Sequence, residues 1–121
     1  MTTDSKHIAL GLLDCWRRLD LEDALSRIAE DAVFQADCKS APVVGRNAIR
    51  KVWGGYMQVI KKYEFEVRAA LATDNLVMIE RREVLGLNRK ELDLPIVAIF
   101  EINQAGQISA WRDYWDTSMA T

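Results

Sequence analysis

Arg81 and Glu83 stand two residues apart in the segment 76–87, and Asp113 stands between Trp111 and Trp115 near the end of the chain. Both segments alternate as strands do, so that every second side chain shares a face. In the first, Val77, Ile79, Arg81, Glu83 and Leu85 share one face, and Met78, Glu80, Arg82 and Val84 the other. In the second, Ser109, Trp111, Asp113 and Trp115 fall together. Each set frames charge with apolar groups. A buried charge survives only when it is paired or well hydrogen-bonded. If the two faces meet over one cavity, Arg81 lies between two carboxyls and holds both. One acid can then stay ionised while the other keeps its proton, the requirement for concerted general base and general acid work. Periodicity alone also admits a solvated ion-pair ladder, the commoner meaning of charge on strands. Glu80, Arg82 and Glu101 read that way, whereas Arg112, Tyr114 and Asp116 occupy the other face of the last strand and suit a contact between copies.

Helices must cover the face that carries these groups. Asp4-Ser5 can cap a helix in which Ile8, Leu12, Trp16 and Leu19 recur, with Ala9, Leu13 and Cys15 widening the stripe. A short second helix is predicted over 21–28, with Ala24, Leu25 and Ile28 inward, and a strand over 31–38. Ser40-Ala41-Pro42 marks a loop, because proline disfavours helical geometry in the residue before it. Gly45-Arg46-Asn47 opens a third helix with the stripe Ile49, Val52, Trp53, Tyr56 and Ile60. Gly54-Gly55 inside it is costly and suggests close packing or a slight bend over a pocket.

From Tyr63 the pattern turns to strands. Phe65, Val67 and Ala69 alternate with charged residues, Thr73-Asp74-Asn75 supplies a turn, and strands are predicted over 76–87, 92–102 and 107–116. Asn103-Gln104-Ala105-Gly106 is the last hairpin, and Pro95 belongs at a strand start or an edge. The reading is one α+β domain over residues 1–121. A strongly curved, largely antiparallel or mixed sheet and the N-terminal helices enclose a cone-shaped apolar pocket.

Composition narrows the function. Sixteen basic and eighteen acidic side chains leave a formal charge of −2, without the basic surplus a nucleic-acid footprint needs. His7 is the only histidine, which argues against a Ser-His-Asp or Cys-His engine and against a His-based metal site. Cys15, in a predicted helix, and Cys38, in a predicted strand, read as small buried or half-buried thiols. The polar start Met1-Thr2-Thr3-Asp4-Ser5-Lys6 lacks the features of a signal peptide, and no apolar run approaches a membrane span. A cytoplasmic protein is expected, without nucleic-acid or membrane partners.

Around these residues the chain resembles the limonene-1,2-epoxide hydrolase family, within the nuclear-transport-factor-2-like and polyketide-cyclase-like (SnoaL-like) superfamily. Trp111-Arg112-Asp113-Tyr114-Trp115-Asp116 is similar to the family's W-R-D-Y-F-D segment, and Glu80-Arg81-Arg82-Glu83-Val84-Leu85 to its E-R-x-D-V-L segment. Glu30-Asp31 and Gly45-Arg46-Asn47-Ala48-Ile49 resemble more widespread landmarks. The resemblance implies that Asp113 is a general base activating water, that Arg81 bridges the acids, and that Glu83 is the general acid. It implies one-step water addition without a metal or organic cofactor, and a homodimer joined through the sheets. The family's water-holding Y-x-N pattern reads Phe34-Gln35-Ala36 here, so both polar groups are absent at the direct match. The segment before Gly45 is one residue longer than the family pattern, so a bulge can turn Asp37 or Gln35 inward instead.

Three readings follow. The first is hydrolysis of a small or medium hydrophobic epoxide to a diol, with Trp16, Phe34, Ala36, Trp53, Phe100, Trp111 and Trp115 offering pocket wall. The second keeps the acid–base pair for an isomerisation, dehydration or cyclisation without water. The third is a non-catalytic ligand-binding module.

Overall fold

The computed structural model describes residues 4–120; Met1, Thr2 and Thr3 of the polar start lie outside it. Helix α1 (Ser5–Arg17) is followed by α2 (Leu21–Ser26), strands β1 (Ile28–Gln35) and β2 (Val43–Val44), and helix α3 (Arg46–Val59). Strands β3 (Lys62–Ala72), β4 (Leu76–Gly86), β5 (Glu91–Ile102) and β6 (Ile108–Tyr114) complete the sheet, and a 3-10 turn spans Thr117–Ala120. The strand order is β2-β1-β6-β5-β4-β3. Strands β3 to β6 form the expected antiparallel meander, and β1 joins β6 in parallel, so the sheet is mixed. Register shifts in β3, in β1 against β6 and in β5 against β6 are of the kind that bends a sheet and raises its twist.

The Asp4 cap of α1 forms as the sequence suggests, and the structure adds one on α2. Asp4 accepts from the Lys6 amide at 3.0 Å, and Asp20 caps α2 by accepting from the Asp23 amide at 3.1 Å. The short α2 ends earlier than predicted. Arg27 closes it, and Ile28 already pairs with Ile108, so Ile28 opens β1 rather than ending a helix. Strand β1 also stops earlier than predicted, at Gln35. The Asp37 carboxylate accepts from the Lys39 and Ser40 amides and the Ser40 hydroxyl at 2.8–2.9 Å, drawing the chain into a turn. Cys38 is therefore exposed in that turn and not part of a strand, while Cys15 is buried in α1. Pro95 lies inside β5, at a point where β4 is its only flanking strand, because pairing with β6 starts at Val97↔Tyr114.

Alternation decides what faces the helices. Val77, Ile79, Arg81 and Glu83 are all buried, while Met78 and Glu80 between them are exposed. Between this sheet and helices α1 and α3 lies an aromatic layer, in which Trp16 of α1 meets Trp53 of α3 edge-on at 5.4 Å and Phe34 of β1 meets Trp111 of β6 at 5.3 Å. Such T-shaped pairs add roughly 0.5–1.5 kcal/mol beyond their buried area.

The glycine pair of α3 leaves the helix unbroken. A Cβ on Gly54 would touch Leu21 Cδ2 at an ordinary 3.5 Å, and one on Gly55 would meet nothing within 4 Å. Close packing therefore does not require Gly55. Replacing it with alanine narrows the unfolded ensemble without a native clash, so Gly55→Ala is expected to stabilise the fold by about 0.4–1 kcal/mol. Chemical denaturation with an unchanged m-value would record it; a lower midpoint would mean that the helix needs the missing side chain.

Candidate active site

Strands β4 and β6 are separated by β5, and adjacent strands lie about 4.8 Å apart, so roughly 10 Å separates them. A side chain on β4 reaches one on β6 only if it is long and crosses a small residue. Arg81 satisfies both conditions. It pairs across β5 with Ile96, Asp113 pairs with Ala98, and the fully buried Ala98 leaves room for the guanidinium to pass. Arg81 Nη2 donates to Glu83 Oε1 at 2.8 Å and to Asp113 Oδ2 at 3.3 Å, and Nη1 donates to Asp113 Oδ1 at 3.4 Å. The Trp111 indole donates to Asp113 Oδ1 at 2.8 Å. The three charged side chains are 1%, 8% and 12% exposed, so these are interior ion pairs and not a solvated ladder.

One member of the cluster escaped the sequence reading. Tyr63, the second residue of β3, is buried against Trp16 and donates its hydroxyl to Glu83 Oε1. Its parity with Phe65 places it inward, but the reach of a phenol to an acid on the next strand appears only once Phe65 is set opposite Glu83.

Burial pushes the Asp113 carboxyl above the ordinary carboxylate range, with Arg81 pulling the other way and Glu83 adding to the rise. Burial likewise holds the Tyr63 phenol far above its usual value, so it remains a donor at working pH. Desolvation works against the Arg81 charge but is outweighed by Tyr63, Asp113 and Glu83 around it, so the guanidinium stays protonated. Among the described residues, Arg81 Nε is buried without a partner and Glu83 Oε2 accepts no hydrogen bond. The site thus has an unused donor and an unused oxygen.

The cluster forms the polar end of a cavity of about 310 Å³, otherwise walled mainly by apolar side chains. Phe34, Ala36, Trp111 and Trp115 lie on its wall, with Trp16 from α1 and Tyr56 and Val59 from α3. Trp53 and Phe100 do not. Both are buried behind the wall, Trp53 against Phe34 and Trp111, and Phe100 against Trp111. Asp37 touches the cavity, but its carboxylate is occupied by the turn, whose Ser40 and backbone hydrogen bonds outweigh burial and lower its pKa. Gln35 does not line the cavity and donates to the Ser40 carbonyl at 3.0 Å. Neither supplies the water-holding group that the longer loop suggested. Among the described residues, no three His, Cys, Asp or Glu side chains gather as metal ligands, and no helix is long and apolar enough to cross a membrane.

The six-stranded mixed sheet covered by helices is a fold shared with many solved structures. The sequence matches the SnoaL-like domain family over residues 9–111, and the chain belongs to that family. No curated protein matches it in sequence. Solved structures of similar fold include an LEH-like epoxide hydrolase of M. tuberculosis, 19% identical, with a TM-score of 0.84 over 97% of this chain and 86% of that one. The epoxide hydrolase/cyclase-like enzyme SalBIII, with a role in pyran ring formation in the polyether salinomycin, is 17% identical with a TM-score of 0.83, covering 94% and 92%. A computationally designed 17-OHP binder is 15% identical with a TM-score of 0.86, covering 95% of each chain. Identities this low establish a shared fold, one that hosts hydrolase, cyclase and binding proteins.

The raised Asp113 pKa has a consequence for stability. A carboxyl whose folded value exceeds its unfolded value of about 3.9 binds its proton more tightly in the native state. Its ionisation therefore costs nothing below that pH and destabilises progressively as pH rises through the folded value. Wild type is therefore expected to lose stability relative to Asp113→Asn as pH rises from about 4 towards neutral. Thermal melts across that range check it. A difference between the two that does not move with pH would mean that pairing with Arg81 cancels the burial of the charge.

Proposed function

We propose that the protein adds water in one step to a small or medium hydrophobic epoxide, giving a diol. The observation that carries this reading is Arg81 holding Glu83 and Asp113 together at a buried, charged end of a mainly apolar cavity. Asp113 takes a proton from water as the water oxygen attacks an epoxide carbon. The carbon–oxygen bond breaks, and Glu83 delivers its proton to the departing oxygen. Asp113 is left protonated and Glu83 ionised, and transfer of one proton from the first to the second restores the start. A base lifted above the ordinary carboxylate range accepts a proton more readily, provided it is ionised at working pH. The fold shared with an LEH-like epoxide hydrolase supports the assignment.

A second reading is favoured by Phe34 and Ala36, which present no side-chain hydrogen-bonding group where a water would be steadied. With an internal hydroxyl of the substrate as nucleophile, the same pair closes a ring, as the likeness to SalBIII suggests. The likeness to a computationally designed 17-OHP binder keeps a purely binding role as the outcome if neither chemistry is found.

The same reading takes the protein as a homodimer. Leu71 is 74% exposed and Met78 41% exposed, and both lie on the outer sheet face in one row with Ile99, with Tyr114 on the same face nearby. Met78→Lys is expected to convert the dimer to monomer in sedimentation equilibrium. A wild-type protein that sediments as a monomer at all concentrations would remove the dimer from the proposal.

The deciding experiment is a single turnover of cyclic and linear epoxides in heavy-oxygen water. Direct addition puts the label in the diol in the first turnover, whereas an ester route would first deliver an enzyme oxygen. Asp113→Asn should lose about 10²–10⁴-fold in kcat. The wild-type rate should fall as pH drops through a value above about 3.9, since the base must be ionised. Ring closure without label incorporation would favour the second reading, and binding without turnover the third.

A further inference from the structure

We infer that Tyr63 is a positioning residue for the acid: together with Arg81 it fixes Glu83 Oε1, so that Oε2 is the oxygen that hands over the proton. The inference rests on the acid–base reading of the site, and its geometry comes from a residue outside the three named for catalysis.

Glu83 Oε1 receives two donors, the Tyr63 hydroxyl and Arg81 Nη2 at 2.8 Å, and Oε2 receives none among the described residues. A neutral carboxyl with both donors on one oxygen uses that oxygen as its carbonyl and carries its proton on the other. The free oxygen belongs to a side chain on the cavity wall. Tyr63 is itself held, with its ring 5.9 Å from Trp16 and 6.4 Å from Phe65. Its hydroxyl has no other acceptor among the described residues.

Two effects follow. The glutamate arm has one more torsion than an aspartate, and the phenol removes that freedom, which matters because small misplacements of a catalytic group are costly. When Glu83 releases its proton, the charge left behind meets donors already aimed at Oε1, so no reorganisation is needed. The tyrosine thereby steadies the carboxylate that forms as the proton passes to the leaving oxygen. Because the Tyr63 hydroxyl points at Glu83, its removal should act on the chemical step and leave substrate affinity nearly unchanged.

The first test needs no substrate. With carboxyl-labelled glutamate, the infrared carbonyl band of Glu83 is assigned by its loss in Glu83→Gln. In Tyr63→Phe that band should move to higher frequency as Oε1 loses a donor. With 3-fluorotyrosine placed at position 63, which keeps the ring and sharpens the donor, it should move to lower frequency. An unchanged band in either variant would overturn the inference, as would a Glu83 signal of the ionised form alone in resting wild type. The second test is kinetic. Tyr63→Phe should reduce kcat by about 10–100-fold with KM within roughly twofold, on the scale of a misplaced catalytic group. The loss should shrink on epoxides bearing electron-withdrawing groups, whose oxygen leaves with less help. A loss equal across that series would indicate a merely structural role. Absence of labelled diol from wild type would fail the hydrolase reading, while the infrared result would still decide the place of Tyr63.

Discussion

A guanidinium buried between two carboxyls is the interaction on which the rest of this molecule depends. Taking each of these ions out of water costs several kcal/mol, and mutual attraction offsets that only when geometry and hydrogen bonding are good. Arg81 is 1% exposed, so it depends on Glu83 and Asp113, and they in turn need help from Tyr63 and Trp111. This dependence fixes the register of three strands. A slip of β5 by one residue against its neighbours would turn Ala98 out of the path of the guanidinium and put Val97 or Ile99 beside it. The network therefore specifies the sheet as much as the sheet presents the network.

Trp111 joins this polar cluster to the apolar core. Its indole nitrogen holds Asp113, while its ring packs on Phe34, Trp53, Phe100 and Trp16. A ring immobilised on four sides gives its N–H a fixed direction. Asp113 thereby acquires its orientation from hydrophobic packing behind the cavity wall. Trp115 does a related task at the rim, where its nitrogen bonds the Ala36 carbonyl at 2.8 Å and ties the end of β1 to the residue that follows β6.

Strand parity made much of this legible. A period of two is insensitive to small errors in element boundaries, so Arg81 and Glu83 could be set on one face and Asp113 on a face with Trp111 and Trp115, while parity alone left open whether those faces are buried or solvated. Depth is another matter. Parity says which face Trp53 or Phe100 shares, but not whether a neighbour stands between it and the cavity, and both prove to lie one layer back. Tyr63 was hidden for a similar reason, because its partner sits on another strand and is fixed by register. The end of β1 was misread where a side chain competes with strand pairing. Asp37 offers the backbone three hydrogen bonds in a turn, and that local bargain outweighs continuation of the strand through Cys38.

On the proposed function, the division between hydrolysis and ring closure lies in β1 and not in the acid–base pair. Phe34 pairs with Trp111 in the parallel register, so β1 sets the wall beside the tryptophan that orients Asp113. A hydrogen-bonding group there would hold a water against the base; an aromatic ring there excludes water and favours a substrate that carries its own nucleophile. The clamp on β4 and β6 is indifferent to this choice, since it requires only a proton to take and an oxygen to protonate. On that reading, side chains of β1, a strand that contributes no charge to the clamp, choose between hydrolysis, ring closure and simple binding.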